Sequence, residues 1–346
     1  MRGRALLVGG GIAGLTAARG LLRAGWEVEV RERRESPPDI GGALSLWREG
    51  MAALDRIGLG ERVRERARRP SLGVIAAPSG RALTAVGSQR AEVHLISRSS
   101  LLDVLVEGLP DGLVRWNTPV TEADVRDAEG FDVVVGADGI HSLVRRTAFP
   151  GAADPRPLGT VAYRGAVPGA VDLATETWGR GMLFGVTSMD AHTTNWFASL
   201  RTELLRGREG QDPVEMLREL YGGWHPVVTR VLEALPGTAV DRRELYELPA
   251  LASYVSGRHV VIGDAAHAMA PNLGRGACES VVDAVALAAA LGTEPTVEHA
   301  LARYDRRRHR PTRMVARASR VLNRVSTSVR LDRQRNHLMR TLGHLV

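Results

Sequence analysis

The 346-residue sequence predicts an α/β protein in which a Rossmann-like domain is joined to a mainly antiparallel β-sheet domain and followed by a C-terminal helical segment. Three observations lead there. An apolar run, Ala5–Val8, breaks directly into the glycines of GGGIAG, after which Leu15, Ala18, Leu21 and Leu22 recur at helical spacing. Two Val-rich runs, FDVVV at 131–135 and RHVVI at 258–262, read as buried parallel strands, and each runs into a glycine turn bearing an Asp. Between Gly159 and about Leu248 the pattern becomes alternating and aromatic-bearing, in VAYRGAV, ETWGRGMLFGV, TTNWFASL and DRRELYEL, as suits a sheet with one covered face.

Each piece of the first unit has a physical task. Gly9 makes the tight turn, Gly11 lets a pyrophosphate approach the backbone, and Gly14, after Ala13, lets the helix pack closely on the strand. The helix N-terminus then faces the ligand's negative charge. A second strand, Trp26–Val30, ends at Arg31, so that Glu32 and Arg33 fall about 20 residues beyond the loop, where such folds place the acid that accepts hydrogen bonds from a ribose. The loop alone admits NAD, NADP or FAD.

The helix-like stretch SSLLDVLVEGL precedes the second strand end, Gly136-Ala137-Asp138-Gly139, with Arg145 and Arg146 after it. The third strand ends at Gly263-Asp264, followed by a proline-bearing loop and a helix over Ala277–Leu291. Ligands gather at the carboxyl ends of parallel strands, where all three loops fall.

Composition excludes other classes. All 46 basic residues are Arg; they give a net charge of +7, and the run Arg306–Arg310 reads as a solvated helix face and not as a nucleic-acid site. No apolar run approaches the roughly 18 residues a membrane helix needs, and the N-terminus reads as a strand instead of a signal peptide, which implies a cytoplasmic location. Cys278 is the single cysteine, so an intramolecular disulfide and a thiolate zinc cluster are ruled out; it reads as a small buried helix residue. No HExxH, P-loop or GxSxG motif occurs, and no metal is expected.

GGGIAG with Glu32, Arg98 in ISRSSLLDVL, the GADGIHSLVR segment and GDAAHAMAPNLGRGA together resemble the single-component, FAD-dependent monooxygenases, the group containing p-hydroxybenzoate, salicylate and urate hydroxylases and zeaxanthin epoxidase. The likeness runs over about residues 4–310 and is weakest in the middle. It implies the p-hydroxybenzoate hydroxylase-like fold, with a discontinuous FAD-binding domain (1–70, 98–155 and 252–318), a substrate domain (71–97 and 156–251) and a helical tail (319–346). It makes Glu32 the adenosine ribose ligand, Arg98 a pyrophosphate-side contact and Asp264 a partner of the ribityl chain. Pro271, Gly274, Arg275, Gly276 and Ala277 then lie beside the flavin ring, and one FAD links the two remote glycine loops. The dipole of the helix starting near Gly276 would favour the negative charge of the reduced ring.

The resemblance further implies non-covalent FAD, NADH or NADPH as transient reductant, dioxygen as co-substrate, and insertion of one oxygen atom into a planar aromatic or unsaturated small molecule through a flavin hydroperoxide. An oxidase or reductase on the same fold, or a flavin-binding protein without turnover, is the alternative. No catalytic side chain is identified, and His267 reads as structural. Arg275 stands where many relatives carry Gln, an extra cation near the flavin or on the substrate's route. The stretch Leu46–Gly50 also departs from the family pattern. Trp47, Arg48, Tyr163, Phe184, Trp196 and Tyr246 are the expected pocket residues, although a strand sends alternate side chains to opposite faces, so Trp196 and Phe197 cannot both line it. The Arg-rich helix from Tyr304 onward is expected to pack across the FAD domain and support a monomer or homodimer, with Asn336–Val346 loosely ordered.

Overall fold

The computed structural model describes residues 2–37, 42–87 and 92–343. The chain opens with β1 (Arg4–Val8), α1 (Ile12–Arg23) and β2 (Glu27–Arg31), then β3 (Ala43–Trp47), α2 (Arg48–Arg56), α3 (Gly60–Arg66), β4 (Leu72–Ala76), β5 (Ala82–Gly87) and β6 (Val93–Ser97). It returns through α4 (Arg98–Val106), β7 (Val114–Arg115), α5 (Glu122–Asp127), β8 (Val133–Gly136) and α6 (Leu143–Ala148). Next come β9 (Arg156–Pro168), β10 (Leu173–Trp178), β11 (Met182–Ser188), β12 (Thr193–Arg201), α7 (Pro213–Tyr221), α8 (Pro226–Ala234) and β13 (Asp241–Glu247). The last elements are β14 (Val255–Ser256), β15 (His259–Val261), α9 (Asp264–His267), α10 (Gly276–Thr293), α11 (Val297–Ser326) and α12 (Asp332–Gly343).

Among the described residues, one sheet has the order β14-β15-β8-β1-β2-β7 and is parallel except for β14. Both its faces are covered, which is why Ala5–Leu7 and Val133–Val135 are apolar without alternation and almost wholly buried. Helix α10 packs against α1 so closely that a Cβ on Gly20 would lie 2.6 Å from that of Ala288. Helix α10 is the one described helix long and apolar enough to cross a membrane, yet 61% of it is buried among α1, α2 and α11.

The second sheet has the order β13-β9-β12-β11-β10-β4-β5 and is antiparallel apart from the β10/β4 pair. Residues 213–234, which the alternating pattern did not distinguish, form α7 and α8. Asp212 accepts hydrogen bonds from the N–H groups of Val214 (2.9 Å) and Glu215 (3.0 Å), and each helix carries Pro in its first turn. Both helices cover one face of this sheet, burying Met216, Leu217, Tyr221, Val228 and Leu232 against Val161, Phe184, Trp196 and Leu200.

Three boundaries differ from expectation. Strand β6 pairs with β3 in a two-stranded ribbon and not with the large sheet, so the excursion assigned to 71–97 contributes only β4 and β5 to it; residues 88–91 lie outside the described residues. Helix α11 runs unbroken through position 319, because Thr296 caps its start and helical hydrogen bonding continues to Ser326. The stretch from Asn336 to Gly343 is helical, and Arg335 of the same helix donates to the carbonyls of Val325 (3.2 Å) and Ser326 (2.7 Å); residues 344–346 lie outside the described residues.

Candidate active site

A cavity of about 920 Å³ is walled by the strand-end loops of the first sheet, by the β3/β6 ribbon and by one face of the second sheet. Gly11, Ile12 and Ala13 of the first loop, Ala137 and Gly139 after β8, and Asp264 after β15 reach it, as do Arg98 and the segment from Met269 to Gly274 with Gly276 and Ala277. The three strand-end loops therefore share one space.

The first loop is shaped by its glycines. Gly9 has φ of 109°, and a Cβ on Gly14 would sit 1.9 Å from the carbonyl oxygen of Gly9, so Gly14 is required by packing. A Cβ on Gly11 would meet nothing within 4 Å. Gly11 is also the N-cap of α1 and supplies no side-chain cap, which leaves the first-turn N–H groups facing the cavity. Glu32 is buried at the base of the loop, accepting from the N–H of Gly10 (2.7 Å) and of Arg34 (2.9 Å). Its side chain is off the cavity wall, and Arg33 is exposed away from it.

Asp138 does not face the cavity. Its Oδ2 accepts from the N–H groups of Leu143 (2.6 Å) and Val144 (3.3 Å), holding the start of α6, and burial pushes its carboxyl above the usual range. Arg145, buried, donates to the carbonyls of Ala265 (3.0 Å) and Ile140 (2.8 Å), so it fastens the β8 loop to α9. Arg98 lines the cavity, and its Nε is buried without a hydrogen-bond partner among the described residues.

Asp264 begins α9 after Gly263, whose φ of 58° makes the turn. Its Oδ1 lies 3.9 Å from where a Cβ of Gly276 would stand, next to the N-terminus of α10. No side chain caps α10, so its opening N–H groups, at Gly276 and Ala277 on the wall, are available to an acceptor. A buried, unpartnered guanidinium Nε, two uncapped helix starts and an open glycine suit a ligand carrying phosphates and an electron-accepting ring.

Behind these loops runs a buried ionic chain. Asp283 accepts from His267 Nε2 (2.6 Å), Arg308 Nε (2.6 Å) and the N–H of Gly263 (2.9 Å). Arg308 also pairs with Glu279, whose other oxygen takes Arg275 (2.7 Å); Arg275 reaches Glu49 (3.1 Å) and lies over the Trp47 ring. Arg275 itself is off the cavity wall, over the ring of Trp47, which lines it. One expectation is corrected: Arg308 is no solvated side chain, because its acid partners on α10 are themselves buried. Cys278 is buried, with α2 so close that a Cβ on Gly50 would lie 2.8 Å from its sulfur.

A family described as FAD binding domain matches residues 3–319. The chain belongs to that family. It is 34% identical over 327 residues, 87% of this chain and 83% of the relative, to aurachin C monooxygenase/isomerase of Stigmatella aurantiaca. It is 29% identical over 343 residues (91% and 87%) to FAD-dependent urate hydroxylase of Mycolicibacterium vanbaalenii. The fold of Klebsiella pneumoniae HpxO, solved with FAD and uric acid, covers 99% of this chain and 93% of that one with a TM-score of 0.84 at 23% identity. The protein is an FAD-dependent monooxygenase, with the p-hydroxybenzoate hydroxylase-like architecture of this family.

In this monooxygenase the large sheet's cavity-side face carries aromatic and charged residues other than most of those expected. Trp47 lines the cavity and donates to the Gly274 carbonyl (3.3 Å). Arg48 is exposed at the start of α2, off the wall. Phe184 and Trp196 are fully buried and stacked (5.8 Å between centroids) on the face under α7 and α8, with Tyr163 in the same core. Tyr246 turns its hydroxyl to Glu244 (2.8 Å), and it is Leu245 that faces the cavity. Phe197, Asn195, Arg164 and Glu176 face it too, and sequence reasoning missed them as pocket residues. The alternation around Trp196 and Phe197 signalled that one of the two must turn inward to helices and the other to ligand, without indicating which.

Proposed function

We propose that this protein uses NADH or NADPH and dioxygen to add one oxygen atom to a planar aromatic or unsaturated small molecule. The observation that carries the reading is the single cavity joining the first glycine loop, the N-terminus of α10 and the open face of the second sheet. Bound FAD supplies the redox chemistry, passing electrons from the nicotinamide to oxygen. Gly11 and the start of α1, with Arg98, would hold its diphosphate, Glu32 its adenosine ribose and Asp264 its ribityl hydroxyls, while Pro271–Ala277 would border its ring. The uncapped N–H groups of α10 would favour negative charge on that ring. The sheet face opposite would position the substrate and keep water out, and residues 72–87 and 156–247 would form that substrate-facing part.

Relatives named for urate, 3-amino-4-hydroxybenzoate, 6-hydroxynicotinate and 4(1H)-quinolones support a flat, hydroxylated or nitrogen-containing ring as substrate. The reading includes a cytoplasmic monomer or homodimer. The experiment is to supply such rings to the FAD-loaded protein with NAD(P)H under labelled dioxygen. A true substrate accelerates NAD(P)H oxidation, lowers the peroxide yield and leaves one labelled atom in the product. Turnover with all oxygen released as peroxide and no label would make the protein an oxidase.

A further inference from the structure

One row of paired residues crosses the cavity-side face of the second sheet. The registers place Thr84 opposite Ile75, Ile75 opposite Glu176, Glu176 opposite Gly185, Gly185 opposite Phe197 and Phe197 opposite Arg164. Residues directly opposite in a sheet share a face, and every side chain of this row lines the cavity. Gly185 has a spatial reason. A Cβ there would fall 2.0 Å from Phe197 Cζ, so the tip of the Phe197 ring occupies the gap and lies beside the Glu176 position.

Among the described residues, Glu176 is a carboxyl on this wall without a cation of its own. Arg164 is held by Asp241 (2.9 Å), as is Arg243 from the neighbouring row (2.9 Å). Arg335, over the Trp178 ring on the same face, is committed to the carbonyls of Val325, Ser326, Trp178 and Gly179. Among the described residues no charged side chain moves the Glu176 proton affinity, and desolvation on the wall raises its pKa to about 7. Burying a carboxyl without a cation costs free energy; the carboxylates of the buried ionic chain, Asp283 and Glu279, are paired with arginine, whereas half-buried Glu176 has no such partner among the described residues. A proton acceptor is most effective when it titrates near the working pH.

We propose that Glu176 takes the proton of a hydroxyl group carried by a planar bicyclic substrate lying against Phe197, and so selects substrates that bear one. The proposal rests on reading this cavity face as the substrate site. In the step, the substrate O–H bond breaks, the proton joins a carboxylate oxygen of Glu176, and the electron pair stays on the substrate oxygen. Charge is conserved between the two groups, and the ring becomes richer in electrons, as attack by an electrophilic oxygen demands.

The test uses the FAD-loaded protein and two probes at neutral pH: 7-hydroxycoumarin, whose absorption reports its own ionisation, and 7-methoxycoumarin, which has no proton to give. Wild type is expected to bind 7-hydroxycoumarin as the anion. Glu176→Gln, which keeps the side chain's size, should bind it in neutral form and roughly tenfold more weakly, while 7-methoxycoumarin binds both proteins alike. The proposal is overturned if wild type binds the hydroxycoumarin in neutral form, if the anion persists unchanged in Glu176→Gln, or if wild type binds neither coumarin. The first and third of these need no variant, so a misfolded Glu176→Gln protein does not shelter the idea. Failure of the monooxygenation reading shows separately, as product without labelled oxygen.

Discussion

His267 and Asp283 meet at 2.6 Å, Nε2 to Oδ2, with neither side chain reaching solvent. The pair ties α9, which begins with Asp264, to α10, whose first N–H groups face the cavity. Gly263 N–H and Arg308 complete the coordination of Asp283, so the two loops that border the expected flavin site are set by one buried carboxylate.

This pair predicts a stability optimum in mildly acidic solution. Burial alone would lower the His267 pKa, but the charge and hydrogen bond of Asp283 outweigh it and raise it above 6.5. Burial alone would raise that of Asp283, but His267 and Arg308 bring it down to about 2 from 3.8. The histidine's contribution is complete below pH 6.5 and is lost as pH rises through its folded pKa; the aspartate's is complete above 3.8 and is lost as pH falls towards 2. In thermal melts, Tm should decline as pH rises above 6.5, and His267→Asn should flatten that decline. An unchanged slope in the variant would show that His267 is not charged in the fold.

Two glycines at the start of the first helix separate binding from folding. Gly11→Val should fold with near-normal melting but lose FAD, because its side chain enters open space that the proposed site gives to the diphosphate. Gly14→Ala should lose stability even without FAD, since its Cβ would collide with the Gly9 carbonyl at 1.9 Å. Full FAD occupancy in Gly11→Val would remove the loop from the cofactor site.

Asp264→Ala should weaken FAD binding by about 1.5–3 kcal/mol, the cost of a lost charge-assisted hydrogen bond, with the apo-protein melting largely unaltered because Asp264 stands on the cavity wall outside the buried ionic chain. Equal affinity measured by fluorescence titration would reduce Asp264 to a helix-starting residue.

Adjacent residues of β12 should behave oppositely. Trp196→Ala empties a fully buried site in the core under α7 and α8 and should cost about 3–5 kcal/mol of stability. Phe197→Ala removes a cavity-wall ring and should spare most of that stability while raising KM for the substrate. Denaturant melts of both, with kinetics on Phe197→Ala, decide the matter; the reverse pattern would mean that the face has been misassigned.

Local sequence determined the first unit of the fold. GGGIAG after an apolar run, with Glu32 behind it, specifies strand, turn and helix through glycine's steric permissions, and the Val-rich strands ending near Asp138 and Asp264 state their own burial. Tertiary structure alone decided which face of β12 meets ligand, since alternation fixes that Trp196 and Phe197 diverge but only the docking of α7 and α8 chooses between them. It also decided that Arg308 is buried, because its acids lie 25 and 29 residues earlier on another helix, and no helical spacing within Arg306–Arg310 reports them. The row from Thr84 to Arg164 has the same origin: strands β5, β4, β10, β11, β12 and β9 bring its members together, and register is a property of pairing that no single strand contains.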